Sequence, residues 1–147
     1  MELTKIRGRT YYIQGATNVG VYRYRNGFCT LVDTGLDNAT GRKILEVLDD
    51  NNLKVKYIIN THAHPDHFGA NNIIKKSHPG SLVAASHKEK IFMENSALES
   101  IVLYGAATMS ELSTWILKAR DTAVDIGLEE GVVELGDKKF DILSLEG

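Results

Sequence analysis

Thr61-His62-Ala63-His64-Pro65-Asp66-His67-Phe68-Gly69-Ala70 gathers three imidazoles and a carboxylate directly after the apolar run Val55-Lys56-Tyr57-Ile58-Ile59-Asn60. Bounded by polar residues, that run reads as a buried strand. In an extended loop leaving it, side chains two apart point the same way, so His62 and His64 can converge on one cation. After Pro65 the chain must change direction, and the adjacent Asp66 and His67 are expected to face a different quarter of space. Neutral imidazole and carboxylate are the ligand types of a hydrolytic metal site. A lone histidine is usually a surface residue or a satisfied core residue. Neither packing nor helix propensity accounts for three of them with an aspartate in so short a window.

Outward from this stretch, Thr40 to Asp50 reads as an amphipathic helix with Ile44, Leu45, Val47 and Leu48 as its core stripe. A second helix starts near Phe68 and carries Ile73 and Ile74. His78-Pro79-Gly80 stops it, and Ser81 to Ser86 gives another buried strand. Strand, helix, strand implies a parallel crossover. Residues 10 to 33 read as antiparallel strands turning at Asn26-Gly27, the strongest short hairpin signal. Tyr22 and Tyr24 are then cross-strand packing. From Lys88 to Arg120 the pattern is helical. Leu98, Ile101 and Val102 form a short stripe, and Leu112, Trp115, Ile116 and Ala119 a longer one behind a Thr108-x-x-Glu111 capping box. Met93, Met109 and Trp115 read as core. Val132 to Leu135 and Phe140 to Leu145 close the chain as a hairpin. His78 and His87, each alone, read as surface residues.

Bulk properties narrow the classes. The chain has 147 residues, 43% hydrophobic and 24% charged, with a net charge of −2. That suits one globular domain, 1–147, with a helical insertion at about 88–120 and no dividing linker. Scattered lysines and arginines give no case for nucleic acid. No apolar run approaches a membrane span, and the N-terminus lacks the apolar core of a signal peptide. The single cysteine, Cys29, cannot form an internal disulfide and reads as a small buried hydrophobe, which suits a cytoplasmic protein.

The motif His62-x-His64-x-Asp66-His67 resembles the His-x-His-x-Asp-His signature of the metallo-β-lactamase-fold hydrolases, in the same strand–loop–helix context. Phe28 to Gly35 is similar to the family's earlier strand ending in Asp-Thr-Gly. The resemblance is close from about Thr10 to Ser86 and loose beyond. It implies an α+β fold, an αββα sandwich, with His62 and His64 as ligands of a first metal and Asp66 and His67 as ligands of a second. Asp66 would be the catalytic residue, ligating and orienting a metal-bound hydroxide. Asp33 by itself reads as a turn former at a strand end. The resemblance implies instead that it supports the metal loop from behind the ligands.

By the same resemblance the cofactor is zinc at two sites, with iron or manganese also compatible with such ligands. The partner is a small-molecule substrate carrying an ester, thioester, lactone, β-lactam or similar bond. Some members are iron-dependent persulfide oxygenases. Members that reduce oxygen or nitric oxide on di-iron carry Glu where this chain has His64, which counts against that branch. Two further readings stand beside hydrolysis: a metal-binding module without turnover, and a structural zinc site. One cysteine argues against the latter.

The family pattern also requires later histidines, and none follows His87. Sandwich domains commonly run to about 200–250 residues. The sequence therefore reads as the N-terminal portion of a longer hydrolase, truncated before its C-terminal half. Its metal sites are expected to be weak or empty. The chain is expected to be inactive alone and to associate with another copy or with its missing half.

Overall fold

Alternating apolar residues and well-placed turns build a mixed sheet before any helix appears. The computed structural model describes residues 1–104 and 119–145. The first four strands are β1 (Leu3–Arg7), β2 (Thr10–Ile13), β3 (Val19–Arg23) and β4 (Phe28–Val32), each antiparallel to its predecessor. Gly27 turns β3 into β4 at φ +80°, a conformation that glycine adopts without a steric cost. The β3–β4 pairs run Gly20 to Val32 and Arg23 to Cys29. The Tyr24 amide donates to the Phe28 carbonyl at 2.8 Å, which leaves Arg25-Asn26-Gly27 as a three-residue loop with glycine at the left-handed position.

Beyond β4 the strands run parallel. Helix α1 (Asn38–Asp50) crosses to β5 (Lys54–Ile59), and α2 (Pro65–Phe68) with α3 (Asn71–Ser77) crosses to β6 (Leu82–Ser86). Helices α4 (His87–Glu94) and α5 (Ala97–Tyr104) follow, and β7 (Ile126–Leu128) completes a sheet in the order β1-β2-β3-β4-β5-β6-β7. A separate antiparallel hairpin, β8 (Gly131–Leu135) with β9 (Lys138–Ile142), forms a second sheet. α1 is opened by Asp37, whose carboxylate accepts from the Thr40 amide and hydroxyl, each at 2.8 Å. Those bonds hold the Asp37 carboxyl below its ordinary pKa.

One face of the large sheet is packed by helices. Ile44, Val47 and Leu48 of α1 and Ile74 of α3 are buried with Val21, Leu31, Ile58, Val83 and Met93, while Leu45 is partly buried. α1 and α3 approach closely because Gly41 lacks a side chain: a Cβ there would collide with Ile73 and stand 2.9 Å from Ala70. Cys29 is buried on this face, and burial pushes its thiol up to about 12. On the other face Ile59, Ala84 and Leu128 meet Leu135 of the hairpin. Tyr24 fastens it, donating to the Leu135 carbonyl at 2.8 Å and accepting from the Thr30 hydroxyl at 2.7 Å. Tyr22 and Tyr24 stack edge to face at 5.3 Å, the cross-strand packing expected of them.

Several elements differ from the sequence reading. β1 and β7 carry no clear period-two signal, and strand pairing defines both. Leu98, Ile101 and Val102 lie on α5, but Ile101 and Val102 face outward, with Val102 67% exposed. Residues 119–124 are irregular, so the helical reading does not hold at Ala119 and Arg120. The expected capping box at Thr108 and Glu111, and Met109, Leu112, Trp115 and Ile116, lie outside the described residues; Ala119 packs against the helix-side core. His87 is exposed as expected, whereas His78 is half-buried with Nδ1 enclosed. No helix among the described residues is long and apolar enough to cross a membrane.

Candidate metal centre

Strand β5 ends at Ile59, and residues 60–64 leave it in an irregular loop before Pro65 opens α2. His62 and His64 therefore sit outside any helix, as expected. Asp66 and His67 do not continue the loop; they belong to the one-turn α2, capped by the extended His64. That turn carries His67 back onto His62, with ring centroids 3.9 Å apart, while His62 and His64 stand at 4.6 Å. The expectation that Asp66 and His67 face a different quarter of space thus fails for His67. Proline at the first helical position pre-sets the helical φ, and one turn is enough to reverse the direction.

Asp33 anchors this loop from behind. It sits at φ +62°, a left-handed backbone that aspartate tolerates, with its side chain only 7% exposed. Its carboxylate accepts from the Thr61 amide and the Thr61 hydroxyl, both at 2.8 Å, and pairs with His67 Nδ1 at 2.8 Å. A carboxylate in such company is an acceptor, so the His67 proton is assigned to Nδ1 and the lone pair to Nε2. Thr61 extends the same logic. Its hydroxyl proton goes to Asp33, so it accepts at 3.0 Å from His62 Nδ1, leaving the His62 Nε2 lone pair outward. Burial, then the neighbouring His67 and His64, hold His62 below its ordinary pKa against the opposing pull of Asp33 and Glu89. Neutral imidazole is the form that binds a metal.

Beneath the carboxylate lies a buried polar network. The His67 carbonyl accepts from the Thr34 amide at 2.7 Å and from Asn60 Nδ2 at 3.1 Å. Asn71 Nδ2 donates to Asn60 Oδ1 at 2.7 Å, and the Thr34 hydroxyl donates to Asn71 Oδ1 at 2.8 Å. Gly69 lets α2 press against the turn after β4, since a Cβ there would run into the Leu36 carbonyl.

The front of the loop opens on a cleft of about 220 Å³ shared with α4 and α5. Phe92 and Val102 give it an apolar wall; Glu89 and Glu99 bring carboxylates. Glu89 accepts from the Ala63 amide at 2.6 Å. Glu99, 12% exposed, stands 3.6 Å from His64 Nε2. Burial raises its pKa, His64 opposes this, and Asp66 and Glu89 add to it. Asp66 Oδ2 lies 3.5 Å from His67 Nε2 and accepts from the Thr17 hydroxyl at 3.0 Å.

The last two ion-pair distances are too long for hydrogen bonds. They match the edge between two ligands of a tetrahedral ion, about 3.3–3.6 Å for bonds of about 2.0–2.2 Å. Among the described residues, however, no three His, Cys, Asp or Glu side chains form a group that could hold a metal ion. The donors fit a divalent cation in kind and in pair spacing, and fall short in number.

The description "Metallo-beta-lactamase superfamily" belongs to the family model that matches residues 12–142. This chain belongs to that superfamily. Solved structures agree on the superfamily fold. A subclass B3 metallo-beta-lactamase of Bradyrhizobium japonicum superposes with a TM-score of 0.74 at 27% identity, over 96% of this chain and 50% of that one. A class B3 di-zinc metallo-beta-lactamase from an Alaskan soil metagenome gives 0.78 at 24% identity, over 97% and 52%. Among curated proteins, a hydroxyacylglutathione hydrolase of Gloeobacter violaceus is 40% identical over 55 residues, 37% of this chain and 22% of the relative. The enzyme of the same description from Pelagibacter ubique is 35% identical over 48 residues, 33% of this chain and 20% of the relative. The chain thus spans about half the length of these superfamily structures, and its matched stretch about a fifth of the curated relatives.

The sequence reading named His62, His64, Asp66, His67 and Asp33. It missed Thr17, Thr61, Glu89 and Glu99. Thr61 stood beside the motif, and its hydroxyl was the available signal. The other three reach the loop from β2–β3, α4 and α5, and no local pattern announces them.

Proposed function

We propose that this chain carries the metal-binding loop of a hydrolase that adds water to an ester, thioester, lactone or β-lactam bond, with zinc as cofactor. The observation that carries the reading is the loop itself: imidazoles with lone pairs directed outward by Asp33 and Thr61, and Asp66 beside them. When bound, a divalent ion lowers the pKa of a coordinated water to about 7 and polarises the acyl oxygen. In this reading His62 and His64 hold one ion, and Asp66 and His67 hold a second. Asp66 is the catalytic residue, orienting the attacking water. Asp33 keeps His67 in the right tautomer, and Phe92 and Val102 offer the apolar wall against which an acyl group packs.

Relatives described as hydroxyacylglutathione hydrolases make a thioester the first substrate to try. Structures described as metallo-beta-lactamases make a β-lactam the second. Because the described donors fall short in number, this reading draws the remaining ligands from outside the described residues, a second copy included. Without them the loop is expected to be inactive. Zinc titration, light scattering and assays on thioester, lactone and β-lactam substrates test this together. A zinc-loaded monomer with full turnover would overturn the ligand shortfall. Zinc binding without turnover in any assembled form would favour a non-catalytic metal module.

A further inference from the structure

We infer that Thr17 is a positioning residue for Asp66, an inference that rests on the metal-site reading proposed above. Asp66 has a 45% exposed side chain on a one-turn helix, and such a carboxylate samples several rotamers unless something holds it. Among the described residues, its one side-chain hydrogen-bond donor is Thr17, at 3.0 Å from Oδ2. The same oxygen faces His67 Nε2 at 3.5 Å, the spacing of two ligands on one ion. Thr17 therefore decides which carboxylate oxygen stands beside His67, and where.

The β2–β3 loop is shaped to present that hydroxyl. Its ends are fixed where Ile13 pairs with Val19, both buried in the core. Inside it, Gly15 makes room for the chain to fold back: a Cβ at that position would stand 2.9 Å from the Thr17 carbonyl. The Gly15 amide faces the Asn18 side-chain oxygen at 3.5 Å across the turn. Thr17 is β-branched and stiff at χ1, so its hydroxyl is aimed at little entropic cost. Asp66 and Thr17 lie on segments 49 residues apart, joined at this bond.

The experiment is a zinc titration of the full chain, read on the assigned imidazole signals of His62, His64 and His67, with melting temperature measured in parallel. Thr17→Val removes the donor at constant shape. It should weaken the zinc response of His67 about tenfold, in line with losses when a ligand's supporting hydrogen bond is removed. The response of His64 should hold. Thr17→Ser, which keeps the hydroxyl, should recover most of the loss, and the melting temperature should stay with the parent's. A Thr17→Val titration that follows the parent's, or one in which His64 weakens as much as His67, overturns the Thr17 role. A parent chain whose imidazoles do not respond even to zinc in large excess, where a weak site with few ligands would still register, overturns the metal reading beneath it.

Discussion

The loop from Asn60 to Phe68 has a back and a front, and they are built differently. At the back, Asp33, Thr34, Asn60 and Asn71 are buried and their polar atoms meet one another or the loop backbone at 2.7–3.1 Å. At the front, His64 and Asp66 reach solvent, and their nearest charged partners stand 3.5–3.6 Å away. A buried polar group left without a partner costs free energy, so the back is held by the same term that holds the fold. Apart from the Thr17 bond to Asp66, the front forgoes such bonds, and its donors are left at a spacing that suits a cation. Changes at the back should therefore cost stability and metal binding together, and changes at the front only metal binding.

The sharpest way to break that contrast is Asp33→Ala. It strands the Thr61 amide, the Thr61 hydroxyl and His67 Nδ1 at once and puts alanine at a left-handed backbone position. We expect a loss of about 3 kcal/mol or more in denaturant unfolding, together with loss of zinc response. A loss below about 1 kcal/mol would show that the loop does not lean on Asp33. Next in size is Asn71→Ala. It leaves Asn60 Oδ1 without its donor and the Thr34 hydroxyl with only its longer bond to the His67 carbonyl at 3.3 Å, for a cost of about 2 kcal/mol in the same assay.

Replacing His62 and His64 together by alanine tests the front. Zinc uptake should disappear while unfolding free energy stays within about 1 kcal/mol of the parent, because the apolar core lies elsewhere. Stoichiometric zinc retained by this double variant would refute the ligand assignment. The smallest effect concerns pH. His62 is held below its ordinary value of 6.5, so just under that pH the unfolded chain binds more protons than the folded one. Stability should fall as pH drops through 6.5 and level off once the folded His62 is itself protonated. His62→Gln should flatten this part of the curve, and identical pH profiles for parent and variant would discount the contribution.

Much of the architecture was legible because the signals are local. Ile44, Val47 and Leu48 repeat at helical spacing, Val19 and Val21 alternate, and Asn26-Gly27 sits where a hairpin turns. β1 was not legible, since Leu3 to Arg7 alternates poorly and gains its strand geometry by pairing with Thr10–Ile13. The stripe of Leu98, Ile101 and Val102 misled for the opposite reason. Its spacing fits a helix, but α5 borders the cleft, so Val102 lines that cleft and both Ile101 and Val102 stay out of the core.

The sequence by itself determined the chemistry: three imidazoles and a carboxylate after a buried strand, and an aspartate at the end of an earlier one. Those are matters of residue type and short-range spacing, which the chain carries wherever it folds. Only the tertiary structure decided which nitrogens face outward, since that depends on Asp33 and Thr61 meeting across β4 and β5. It also brought Thr17 to Asp66 and Glu99 to His64, pairs that strand register and helix packing create. Hydrogen bonds act over about 3 Å whatever the separation along the chain. No window of sequence could have shown them.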